Sequence, residues 1–118
     1  MIRNEVDCPR LFEAMAAAEK IGIGTPTMVE ASVVLTRRLG PRGQRLFVDF
    51  LEDWSVVDVA FGWDHWKLAV QATIRYGKGR HPAALNLGDC MTYATAQVAG
   101  APLLFTGEDF AKTDVAAA

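Results

Sequence analysis

Ile21-Gly22-Ile23-Gly24 runs without a connecting loop into Thr25-Pro26-Thr27-Met28-Val29-Glu30-Ala31-Ser32, and this junction decides the fold class. A glycine-flanked apolar pair is too short for a helix, so residues 21–24 read as a short strand. Thr25-Pro26 then starts a helix, because a threonine cap satisfies one orphan amide and proline at the first helical position removes another. That helix ends at Gly40-Pro41.

Upstream, residues 9–20 read as a helix, with Leu11, Phe12 and Met15 at helical intervals. Downstream, Pro41 opens an amphipathic helix in which Leu46, Phe47, Phe50, Leu51 and Trp54 share a face. The β-branched run 56–59 follows as a strand. Asp64 begins a further helix whose apolar stripe is expected to be Trp66, Ala69, Val70 and Ile74, ending in the glycine-punctuated loop 77–80. A helix over 89–98 stops at Gly100, and 102–106 reads as a last, buried strand. Helices interleaved with short apolar strands predict an α/β domain around a small parallel sheet, with residues 1–118 as one domain. The tail 116–118 has nothing to bury and is expected to fray.

The 118 residues are 51% hydrophobic and 22% charged, which suits a single globular core. A net charge of -2 excludes a polycation that coats nucleic acid unspecifically, so any such contact must come from a local patch. Cys8 and Cys90 have no metal-ligand spacing and no signal peptide precedes them, which predicts a reducing, cytoplasmic setting. The apolar runs are too short to span a bilayer.

The basic patch is Arg75, Lys78, Arg80 and His81, with Tyr76 available to stack on a base; solvated charge in a glycine-rich turn is the competing reading. Trp63 and Trp66 fit a core or subunit interface better than a base-stacking platform. Three acids are candidates for chemistry. Glu30 lies one turn into its helix, where Thr27-x-x-Glu30 also matches a capping box. Asp89 opens a helix, where a carboxylate caps and meets the helix dipole whatever its function. Asp109 follows the last expected strand and is as readily a turn aspartate as a ligand. Together they could converge on one sheet edge, and hard oxygen ligands without paired histidine or cysteine point to Mg²⁺ or Mn²⁺.

The run Tyr76-Gly77-Lys78-Gly79-Arg80-His81-Pro82-Ala83, then Leu85-Asn86-Leu87-Gly88-Asp89-Cys90, Tyr93-Ala94, Leu103-Leu104-Phe105, Asp109-Phe110 and Thr113-Asp114, resembles PIN-domain toxins of the VapC family. Thr27 to Ser32 is similar to the family segment that carries its second acid. The resemblance implies a Mg²⁺-dependent endoribonuclease, the toxin of a type II toxin-antitoxin pair, usually a homodimer and silenced by a VapB-type antitoxin. It makes Glu30, Asp89 and Asp109 the second, third and fourth acids of a quartet, with Asp114 a weaker candidate for the fourth. The family's first acid belongs to an N-terminal strand reading hydrophobic-Ile-Asp-Thr-Ser. This chain has no such strand, so the central strand of the sheet and the first acid are expected to be missing, with Met1 read as an internal methionine. The expected activity is cleavage of RNA phosphodiester bonds by a metal-activated water. The alternative is a truncated, non-catalytic relative that binds an antitoxin.

Overall fold

The computed structural model describes residues 8–105 and 109–118. Helix α1 (Cys8–Ala17) precedes strand β1 (Gly22–Gly24), which passes directly into α2 (Thr25–Leu39). Helix α3 (Pro41–Asp53), strand β2 (Val57–Val59), α4 (Trp63–Tyr76) and α5 (Leu87–Ala99) follow, and Phe110–Lys112 forms a closing 3-10 turn. The two strands pair in parallel, Gly22 with Val57, Ile23 with Asp58 and Gly24 with Val59. This α/β arrangement with a small parallel sheet is the predicted class. The expected absence of a central strand upstream of α1 concerns residues outside the described ones.

Local chemistry explains most of the boundaries and corrects several. Gly24, not Thr25, is the N-cap of α2, so no side chain caps this helix. A Cβ at Gly24 would stand 2.7 Å from the Thr95 hydroxyl, so glycine there lets α2 begin against α5. At the other end, Gly43 lies so close to the Leu35 backbone that α2 and α3 pack main chain on main chain. Phe47 is buried beneath this hairpin, whereas Leu46, expected on the same face, is 45% exposed.

Helix α4 departs most from its expected packing. Its buried face is His65, Ala69, Ala72 and Tyr76. Of the expected apolar stripe only Ala69 is inside; Trp66, Val70 and Ile74 are exposed. Two small alanines permit close approach to α5, where the Tyr76 ring lies tilted 5.6 Å from that of Tyr93. The bulky residues therefore occupy the outer face. Tyr76, only 4% exposed, belongs to the core and is not available to stack on a base.

That core comprises Ala72, Tyr76, Ala83, Leu85, Cys90, Tyr93 and Phe110, with Leu103, Phe105 and Val115 against it. Burying a side chain such as Leu85 contributes about 1.5–3 kcal/mol. The segment 102–106, expected as a strand, forms only one bridge among the described residues, between Leu103 and Ala117. Its partner is a short tail and not a sheet strand, which limits the ladder to one rung. The tail itself is tied down where fraying was expected. The Leu103 amide donates to Ala116 at 2.7 Å, the Ala118 amide donates to Leu103 at 2.9 Å, and Arg10 donates to the Phe105 carbonyl at 2.6 Å.

Candidate active site

Helices α2 and α5 cross so that residues advancing along one meet residues receding along the other. Gly24 meets Thr95, the Thr27 and Thr92 hydroxyls are 2.9 Å apart, and the Glu30 carboxylate lies over Gly88. The antiparallel seam carries Glu30 to the N-terminus of α5, beside Asp89. Any Cβ at residue 88 would collide with Glu30 Oε2, so Gly88 leaves the space that this carboxylate occupies. The capping-box role considered for Glu30 thus gives way to a tertiary one.

Asp89 does cap its helix, as N3 and not as the first residue. Its amide donates to Asn86 Oδ1 at 2.8 Å, and the Asn86 amide donates to Asp89 Oδ2 at 3.1 Å. Helix α5 accordingly starts at Leu87, two residues before the expected boundary. Capping and ligation are compatible here, because the reciprocal bonds engage Oδ2 and a carboxylate offers a second oxygen.

Asp109 is exposed at the start of the 3-10 turn, which is anchored by the buried ring of Phe110 5.6 Å from Phe105. Among the described residues, no group of three or more His, Cys, Asp or Glu side chains is assembled to hold a metal ion. The structure seats Glu30 against Gly88, the residue before Asp89, and does not gather Asp109 into a three-acid group with them. The carboxylates of Glu30 and Asp89 fit a hard divalent cation in donor type, and neither forms an ion pair among the described residues.

Asp114 has a different setting. The Tyr93 hydroxyl donates to Asp114 Oδ1 at 2.5 Å, its own amide donates to the Tyr76 hydroxyl at 3.2 Å, and Arg75 pairs with it at 3.5 Å. The Tyr93 bond chiefly, with help from Tyr76 and Arg75, holds the Asp114 carboxyl below its ordinary value. Burial first, and the Asp114 bond second, push the Tyr93 phenol up to about 12. These contacts tie the C-terminal segment to α4 and α5. Sequence reasoning missed this latch because no local spacing links residues 75, 76, 93 and 114.

Stability from Asp114 is complete above its ordinary 3.8 and is lost as pH falls through the lower folded value. Stability from Tyr93 is complete below pH 10 and is lost as pH rises through about 12. Tyr93→Phe is expected to cost about 1 kcal/mol at neutral pH and to flatten both the acid and alkaline losses. Urea unfolding from acid to alkaline pH measures this; unchanged pH dependence would remove the latch.

The basic loop is ordered by its own backbone. The Lys78 amide donates to Leu85 at 3.1 Å, the Leu85 amide donates to Tyr76 at 2.9 Å, and Gly79 takes φ +86°. Lys78 and Arg80 are exposed and make no ion pair among the described residues. Arg75 is committed elsewhere, with its guanidinium 4.9 Å from the Tyr76 ring centre as well as paired to Asp114. His81 accepts the Ala83 amide at Nδ1, 3.0 Å away, and meets Tyr76 edge-on. The expected patch of four is thus two outward cations, one half-buried imidazole and one arginine paired to Asp114 at the surface.

Among the described residues no helix is long and apolar enough to cross a membrane. The family model for the PIN domain matches residues 1–116. Ribonuclease VapC36 of Mycobacterium tuberculosis is 44% identical over 102 residues, covering 86% of this chain and 73% of that protein. Ribonuclease VapC of Mycolicibacterium smegmatis is 43% identical over 117 residues, covering 99% and 91%. VapC ribonuclease Mb0640 of Mycobacterium bovis is 42% identical, covering 98% and 88%. With the seating of Glu30 over Gly88, the Asn86–Asp89 cap and the parallel strand pair already described, these similarities show that the chain belongs to the VapC family of PIN-domain proteins.

Proposed function

We propose that the protein is a cytoplasmic Mg²⁺-dependent endoribonuclease, the toxin of a type II toxin-antitoxin module with a VapB-type antitoxin. The observation that carries this reading is the seating of the Glu30 carboxylate over Gly88 at the α5 terminus, next to Asp89, in a chain whose relatives are named ribonucleases. Glu30 and Asp89 would hold Mg²⁺ or Mn²⁺, with Asp109 a third ligand once substrate and ion are present. When bound, such an ion supplies Lewis-acid stabilisation of phosphate charge and lowers the pKa of water. Asn86 holds Asp89 in orientation through the reciprocal cap. Lys78 and Arg80 attract the phosphate backbone, and His81, with Nδ1 occupied as an acceptor, presents Nε2–H as a donor.

Incubation of the purified chain with structured and single-stranded RNA, with Mg²⁺ and with EDTA, tests this directly. Mg²⁺-dependent cleavage that stops in EDTA is expected. Stoichiometric antitoxin binding without any cleavage would favour the non-catalytic alternative. Lys78→Ala with Arg80→Ala is expected to weaken RNA binding and to lower the salt slope of log K by about 1.4, the sum for two phosphate contacts on a single strand. An unaltered slope would make the loop a solvated turn.

We also infer a homodimer formed through the outer face of α4. Trp63 at 70% and Trp66 at 53% exposure, with Val70 and Ile74, form an apolar stripe at helical spacing. Their exposure excludes the core role considered for the tryptophans, and a linear stripe on a straight helix can bury itself against its own copy across a two-fold axis. Trp66→Ser is expected to shift the mass in light scattering from dimer to monomer; an unshifted dimer would place the interface elsewhere.

A further inference from the structure

The face of α2 that presents Glu30 does not end there. Residues three and seven positions further along a helix lie on the same side, and these are Val33 and Arg37. Both line an open groove between α2 and α3, together with Ser32, Thr36 and Gln44. Arg37 stands about 10 Å along the helix axis from Glu30, seven residues at roughly 1.5 Å each. That distance is roughly three nucleotides of a stacked single strand at about 3.4 Å each.

We propose that this groove is the outgoing track for the RNA strand and that Arg37 takes a phosphate about three nucleotides from the scissile one. The proposal rests on the ribonuclease reading above and extends it to residues outside the acid pair and the basic loop. A guanidinium suits the role, since its planar fork can give two parallel hydrogen bonds to one phosphate. The hydroxyls of Ser32 and Thr36 and the amide of Gln44 add neutral donors and acceptors of the kind that meet ribose hydroxyls. Val33, 41% exposed, provides an apolar wall. Arg37 forms no ion pair among the described residues, so its charge is not spent internally.

The competing account of Arg37 is helix-dipole stabilisation, since it lies in the last turn of α2 with Arg38. Arg38 shares that dipole position but lies one residue round from the Glu30 face and does not line the groove. It is therefore the natural control.

The test measures binding of labelled single-stranded RNA of about 4 and about 12 nucleotides, lengths within the range that single-strand sites span, to the full chain in Ca²⁺ to suppress turnover. Wild type is expected to prefer the longer RNA. Arg37→Ala should lose about tenfold on the longer RNA, the scale of one charge-assisted phosphate contact, and nothing on the shorter. Arg37→Lys should recover part of the loss, while Arg38→Ala should behave as wild type in binding. Equal loss on both lengths, equal loss in the Arg38 variant, or no loss would overturn the track while leaving the ribonuclease reading in place. Arg37→Ala that binds RNA normally but no longer binds a poly-glutamate peptide would overturn it in favour of an acidic protein partner. Failure of wild type to bind either RNA would overturn the ribonuclease reading itself, and the track with it.

Discussion

Asp89→Asn is expected to reduce RNA cleavage by about a hundredfold or more, beyond the 10–100-fold typical of losing a mere outer-shell partner at a metal site. The substitution is nearly isosteric, and the amide oxygen of asparagine can still accept the Asn86 N–H that Asp89 Oδ2 accepts now. The cap and the start of α5 should therefore survive. What disappears is the anionic oxygen that a hard cation requires. Cleavage rates across a Mg²⁺ titration, beside a thermal melt in metal-free buffer, separate the two roles. Undiminished cleavage with the same Mg²⁺ requirement would reduce Asp89 to a cap.

Gly88→Ala is expected to produce the same pairing of effects by displacement instead of charge removal, activity lost and stability kept. The new methyl would meet the Glu30 carboxylate, which is the far end of a flexible side chain and can swing away at little cost. Replacing glycine by alanine within a helix otherwise adds up to about 0.5–1 kcal/mol. Displacing Glu30 by an ångström or more should still lower cleavage by about a hundredfold, the scale of such misplacements at reacting centres. A melt at or above the wild-type temperature with strongly reduced cleavage is the expected result. Full activity would show that the Glu30 position over Gly88 has no part in the chemistry. Glu30→Gln completes the pair, because it removes the charge without moving the side chain.

The helices, their order and the two strands were legible from local signals. Pro26 and Pro41 start helices, Gly40 and Gly100 stop them, and the β-branched run at 57–59 forms the strand it predicts. Asp89 was legible as both cap and candidate ligand because it follows glycine at the start of a helix. The resemblance carried by residues 76–90 identified the family, which the comparisons bear out.

The sequence by itself determined the α/β class, the order of the helices and first two strands, though not the absence of a strand at 102–105, and the residue types available for chemistry, since these depend on short-range spacing and intrinsic backbone preference. Only the tertiary structure decided which faces are inside. Helix α4 carries two apolar stripes, one large and one small, and periodicity cannot rank them; close approach to α5 selected Ala69, Ala72 and Tyr76 and left Trp66, Val70 and Ile74 outside. Tertiary structure also decided which charges are free. Arg75 and Asp114 lie 39 residues apart and neutralise one another, Asp109 is not gathered with the other acids, and Glu30 reaches Gly88 across 58 residues. Pairings over such separations arise from the crossing of α2, α4 and α5, because each local segment encodes its own conformation but not the identity of the segment it will be packed against.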